Sequence, residues 1–348
     1  GSDGLIIDSV FNENSAVNGG AVSWLANDGK IENSTFYKNS ADDGGAVYWS
    51  GEDGSIADSR FNENTAKRSG AVYALSNLNI DNCEFNKNHA DYQAGALSIA
   101  DNVTVNNSKF NNNYASRSAG AIFVTGCNNT IEGSSFKEND AANGGAINVD
   151  LTYDCSCENC KNIIHDSTFT NNTAEEGGAV WVYDNCEITD STFKENSAQK
   201  DAGAVYYGIY SKGSIMNSAF DNNRATYGGA VYTYENNGVI SDSTFENNNA
   251  EYGGAVYWSG SNGKLLNSKF LKNNAVSESG AVHSPAWNLL INNSFFKENK
   301  AASAGAVAVY GVNNVINNSR FDDNDVNDAG GAVMIRNHNA VISDSSFT

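Results

Sequence analysis

The sequence predicts an all-β protein, a single-stranded parallel β-helix (solenoid) of about 13–14 coils, with three short strands in each coil of about 25 residues. Three observations predict it. Phe-x-x-Asn recurs thirteen times between Phe11 and Phe321, with most spacings from 24 to 27 residues and one of 33. A second signature, small-Gly-Ala-aliphatic, alternates with it thirteen times, as in Gly19-Gly20-Ala21-Val22 and Gly330-Gly331-Ala332-Val333. No useful length of the chain carries helical periodicity, whereas apolar residues two apart are frequent.

The first strand carries an aliphatic residue five positions before Phe in every coil, from Ile6 and Ile31 onward. Ser follows three residues later, so the two-residue alternation breaks and a corner must intervene. Ser and Phe are two apart and share a face of the second strand; Cys83 alone replaces Ser and reads as its buried isostere. Asn, three beyond Phe, marks a second corner, and Ala follows five beyond Phe in twelve of thirteen coils. The Gly pair then supplies torsions or close approach that a side chain would forbid. In the third strand, typified by Val47-Tyr48-Trp49, the first and third residues are mostly apolar and the middle one varies, as on a sheet with one buried face. Stacking the coils about 4.8 Å apart places like residues over like. Phe and Ile columns fill the interior, and Asn columns bond amide to amide and satisfy backbone groups at the bend.

With 41 acidic against 21 basic residues the net charge is -20, which disfavours nucleic acid or an anionic membrane as partner. A hydrophobic share of 40% separates the chain from disordered acidic sequences. Uniform composition without a linker predicts one continuous domain over residues 3–348, an internal fragment of a larger surface protein, with Gly1 and Ser2 as a cloning remnant. No apolar stretch approaches the roughly 20 residues that span a bilayer, and direct membrane insertion is not expected of it.

Tandem Phe-x-x-Asn and Gly-Gly-Ala-(Ile/Val/Leu) over essentially the whole chain resembles the repeats of chlamydial polymorphic outer-membrane proteins. On this Asn-rich, acidic background it also resembles the adhesin-like surface proteins of methanogenic archaea. The resemblance, with the coil length, implies a right-handed helix. It further implies an adhesive, extracellular, cell-surface or wall-associated role, with host or microbial surface glycans or proteins as partners and a monomeric chain. The chlamydial C-terminal membrane barrel is missing from this sequence.

Function is expected where the repeat permits variation. The middle residue of the third strand should face solvent, and seven of thirteen are aromatic there, including Tyr48, Tyr73, Trp181, Tyr206, Tyr232 and Tyr257. Eight of the sixteen Tyr fall between Tyr206 and Tyr257, with Trp258 adjoining. Such a face predicts a ligand-binding surface, with flat rings to stack on sugars and nearby Asn, Asp and Glu to bond their hydroxyls. Alternatively the rings stabilise neighbouring coils by stacking on one another.

The longest excursion, residues 148–163, emerges beside that column and contains Cys155, Cys157 and Cys160, with Cys127 and Cys186 one coil to either side. Cys127 and Cys160 each stand nine residues before their Phe, so stacking would bring them within disulfide reach. Cys155, Cys157 and Cys160 with Asp154, Cys186 and His165 would alternatively enclose a structural metal, or the thiols stay free. No cofactor is required.

Three functions are weighed. A non-catalytic adhesive module needs no catalytic constellation and one biased face. A polysaccharide lyase or hydrolase needs converging carboxylates, for which Asp166 and Asp190 are the best candidates, although their column is Asn or Asp throughout, as at a corner. A passive spacer fits the repeat, whereas ice binding would want ranks of Thr that are absent. Sequons occur at Asn102-Val103-Thr104 and Asn128-Asn129-Thr130.

Overall fold

The computed structural model describes residues 3–150 and 160–348, which fall into two compact units, Gly1–Ala174 and Glu175–Thr348. Each is built the same way, from short strands whose pairings are all parallel and join like positions of successive coils. In the first unit Ile6 pairs with Ile31, Phe11 with Phe36 and Val22 with Val47. In the second, Ile215 pairs with Ile240, Phe220 with Phe245 and Val231 with Val256.

The interior is made of these columns. Phe36, Phe61, Phe85 and Phe110 are fully buried and stack as parallel rings at 4.7–4.8 Å, and Phe220, Phe245 and Phe270 do the same. Each such side chain contributes roughly 1.5–3 kcal/mol by leaving water. At the Asn corner, Asn64 Nδ2 donates to Asn88 Oδ1 at 3.0 Å and to the Phe36 carbonyl at 3.1 Å, while Asn88 Oδ1 also accepts the Asn64 backbone N–H. Asn223, Asn248 and Asn273 repeat this in the second unit. The Ser column closes the other corner, as where Ser34 Oγ accepts the Ser9 N–H and donates to the Glu32 carbonyl. Cys83 is buried in that column as expected, and burial pushes its thiol up to about 12.

The three-strand coil needs one addition. After the Asn corner a fourth short strand forms in several coils: Ser40–Asp43, Thr65–Arg68 and His89–Gln93 in the first unit, Asn249–Tyr252 and Asn274–Glu278 in the second. Its one inward residue is the Ala column, Ala41 beside Ala66 and Ala250 beside Ala275, too small to produce an apolar alternation. The Gly that follows is required by close approach: a Cβ on Gly45 would stand 2.1 Å from the Gly70 carbonyl oxygen.

Asp166 and Asp190 both lie in left-handed corners, at φ 45° and 52°, where Asp8, Asn33 and Asp58 also sit. Their shared column is thus a backbone requirement met by Asn and Asp.

Candidate functional site: a tyrosine-lined groove

In the second unit the third strands Val180–Val182, Val205–Tyr207, Val231–Thr233, Val256–Trp258, Val282–Ser284, Val307–Val309 and Val333–Ile335 present one residue each outward. In register these are Trp181, Tyr206, Tyr232, Tyr257, His283, Ala308 and Met334. They form the floor of a groove. One bank is the corner before the strand, where Asp201, Tyr227, Tyr252, Glu278 and Ser303 lie in register. The other is the residue that follows the strand, supplying Tyr183, Tyr234, Tyr310 and Arg336.

The floor rings stack on one another. Trp181 to Tyr206 is 5.7 Å, Tyr206 to Tyr232 5.5 Å, Tyr232 to Tyr257 4.9 Å and Tyr257 to His283 4.9 Å, with planes within 19° of parallel. Rings so placed cover one another's faces, and the ladder turns edges rather than open faces to the groove, with Tyr232 itself nearly covered and hydrogen-bonded to Tyr234. The bank rings break that order. Tyr234 is turned 67° from Tyr206 and 51° from Tyr232, and Tyr227 stands 82° from Tyr257. Tyr183 lies parallel to Trp181 at 5.4 Å, over Gly208, where a Cβ would come within 2.8 Å of its ring.

These banks correct the expected exposure of the aromatic column. Tyr48, Tyr73, Trp181, Tyr206 and Tyr257 are half-buried, and Tyr232 is only 5% exposed. Trp258 lies on the opposite side altogether, in the core at 0% exposure, because its neighbour Tyr257 takes the outward position of a three-residue strand. Gly263 makes the room: a Cβ there would meet the Trp258 ring at 2.3 Å. Among the residues the sequence left out of the site are Glu278, Tyr310 and Arg336, whose columns vary from coil to coil and carry no repeating signal.

Where the first unit is concerned, Tyr48 and Tyr73 stack at 5.5 Å. Farther along, Phe123 packs against Ala94 and Ala119, and Ser98 accepts from Ser69 Oγ at 2.6 Å, so the outward column is covered there.

Charge in the second unit's groove is acidic. Burial, then Glu176, pushes the Asp201 carboxyl up to about 6. Burial, then the neighbouring carboxylates, raises the Tyr206 phenol, and burial with a Tyr234 hydrogen bond raises that of Tyr232. His283 goes the other way, down to about 4, because burial disfavours its cation more than Glu278 favours it. Ser279 Oγ lies 3.3 Å from His283 Nδ1, and Tyr310 Oη donates to Glu278 Oε2 at 2.6 Å.

Of the cysteines, Cys127 and Cys160 form a disulfide with Cα atoms 5.1 Å apart, the pairing expected from their equivalent places. Neither sulfur is then a thiolate that a metal would take. Cys155 and Cys157 lie outside the described residues, and Cys186 is buried in the second unit.

Comparison with known proteins follows this geometry. A family model described as a Chlamydia polymorphic membrane protein repeat matches residues 217–234. No curated protein sequence matches the chain significantly. Among solved structures, the "TibC-catalyzed hyper-glycosylated TibA55-350 fragment" is 14% identical, covering 97% of this chain and 100% of that one, at a TM-score of 0.37. Tailspike protein 3 of bacteriophage CBA120 is 12% identical, covering 97% of this chain and 55% of that one, at a TM-score of 0.42. A model of the right-handed beta helix region matches residues 47–225, just over half of the chain, and the chain belongs to that family of right-handed parallel β-helices.

Proposed function

We propose that this chain is a non-catalytic, extracellular attachment module that binds linear glycans along the groove of its second unit. The observation that carries the reading is the regular row of Tyr206, Tyr232 and Tyr257, between banks that add Tyr183, Tyr227 and Tyr234. Phenol hydroxyls both donate and accept, as sugar hydroxyls do, and their repeat at 4.9–5.5 Å is on the scale of one sugar ring. An open groove along the stacking direction suits a polymer better than a small molecule.

Stacking of sugars on the floor rings, the first expectation, is disfavoured because those faces cover each other. Contact through hydroxyls and the turned bank rings replaces it. Catalysis is disfavoured by the state of the nearest polar cluster: Glu278 is already engaged by Tyr310 and Arg336, and His283 is held neutral by burial.

Glycan-array binding followed by titration tests the reading. Tyr183→Ser, Tyr206→Ser and Tyr234→Ser are expected each to weaken a specific hit by about tenfold while leaving the β-rich circular-dichroism spectrum unchanged. Silence across neutral, acidic and amino glycans would overturn it.

A further inference from the structure

Resting on that reading of the groove, the inference here concerns which glycan it takes. Twice the chain sets a bank carboxylate beside a tyrosine ring and completes the pair with its own arginine. In the first unit Asp43 holds Arg68 through Nε and Nη2, both at 2.6 Å, and the Arg68 guanidinium lies 5.8 Å from the centre of the Tyr73 ring. In the second unit Glu278 holds Arg336 at 3.3 Å, and that guanidinium lies 5.0 Å from the centre of Tyr310. Carboxylate and π-face act on the same cation in each case.

A third place has the acid and the rings without an arginine paired to them. Asp201 occupies the same bank position as Asp43, but the next coil pairs it with Tyr227 where Asp43 is paired with Arg68. Glu176 adds a second carboxylate close enough to push Asp201 up, behind burial itself. Asp201 in turn bears on the phenols of Tyr206, Tyr232 and Tyr257, again behind burial. Lys200, whose charge also bears on Asp201 and Glu176, gives its ammonium to Glu175 at 3.1 Å. Among the described residues neither Glu176 nor Asp201 makes an ion pair. Tyr234 and Tyr227, both exposed and both turned steeply out of the ladder, stand on opposite banks over this spot.

We propose that the groove at Glu176, Asp201, Tyr206, Tyr227, Tyr232 and Tyr234 binds the protonated amines of a linear amino-sugar chain, the ligand supplying the cation that arginine supplies at the other two places. Charge complementarity selects this occupant. A glycan bearing free amines places a cation on each sugar and still offers hydroxyls to the phenol row, whereas uronate or sulfated chains meet two carboxylates. An N-acetylated chain of the same backbone keeps the hydroxyls and loses the cation.

Titration of the whole chain with a chitosan hexasaccharide and with its fully N-acetylated counterpart, at low salt and near-neutral pH, above the value of about 6 at which Asp201 takes up its proton, tests the inference. The amine form is expected to bind about tenfold tighter, a margin that shrinks as salt rises. Asp201→Asn and Glu176→Gln are expected to reduce that margin to within about threefold. Tyr227→Arg places a guanidinium where Arg68 sits in the first unit and is expected to remove the preference without removing either carboxylate. Equal affinity for the two hexasaccharides, or a preference that survives Asp201→Asn and Tyr227→Arg alike, overturns the inference and leaves glycan binding standing. Binding of neither hexasaccharide together with silence on the array overturns both.

Discussion

Tyr310 reaches across the groove from one bank to the carboxylate on the other, its hydroxyl donating to Glu278 Oε2 at 2.6 Å. The reach is possible because the floor residue of that coil is Ala308 rather than a ring. The ladder ends at His283, whose ring is tilted 36° to Tyr310, and Tyr310 closes that end of the groove. Burial and Glu278 both hold the phenol above its ordinary pKa, so it stays a donor. Tyr310→Phe should loosen this end by about 1–2 kcal/mol, the worth of a hydrogen bond to a partly exposed carboxylate. Faster amide exchange confined to the Val282–Ser284 and Val307–Val309 strands would be the mark of it; uniform exchange across the unit would contradict it.

The Asn columns make a sharper prediction, because each amide serves several partners at once. Asn248 accepts the Asn223 backbone N–H and side-chain amide, and donates to the Phe220 carbonyl and to Asn273. Asn248→Ala strands buried donors and acceptors on two coils and should cost about 2–4 kcal/mol. Asn248→Asp should cost at least as much, since a carboxylate accepts but cannot donate to the Phe220 carbonyl. Thermal melts of the two variants check the order.

How much of this was legible in the sequence depended on repetition. Phe36, Asn64 and Ser34 announce their places because coil after coil repeats them, with Cys83 the one exception in the Ser column, and their columns behave as the spacing implies. The strand Thr65–Arg68 did not announce itself, since its only buried side chain is an alanine, Ala66. Trp258 was placed outside by its adjacency to Tyr257, although alternation along a strand puts adjacent residues on opposite faces. The outward column was identified, but not its burial: exposure of Tyr232 depends on Tyr234 beside it, a residue whose counterparts in the adjacent coils are Gly208 and Ser259. Arg68 and Arg336 complete their carboxylates across one or two coils, a relation that no single column contains.

The Cys127–Cys160 disulfide joins residues 33 apart around the longest excursion of the chain. On loop-closure grounds such a link stabilises by about 4 kcal/mol. Reduction and alkylation should therefore lower the melting temperature of the first unit. Mass measurement before and after reduction should show two additional alkylated thiols for this pair. An unchanged melt would contradict the loop-closure account.

Glu235 provides a pH test in the interior of the second unit. Its side chain is 4% exposed among Tyr207, Val231, Ile240 and Trp258, with one oxygen accepting the Gly213 N–H at 2.7 Å. Burial pushes its carboxyl up to about 8, against the partial relief of that N–H. A carboxyl raised on folding binds more protons folded than unfolded between its ordinary value of 4.5 and about 8. Stability from this group is thus fully present below about pH 4.5 and is lost as pH rises toward 8. The loss should amount to a few kcal/mol at most, since a tenfold change in proton affinity is worth about 1.4 kcal/mol and water entry relieves part of it. Glu235→Gln keeps the acceptor for Gly213 and cannot ionise. Its melting temperature should exceed the parent's at pH 8.5 and converge on it near pH 4.5, so the difference between the two curves isolates this one carboxyl from Asp201 and the surface acids. Parallel curves across that range would mean that the Glu235 carboxyl ionises in place without cost.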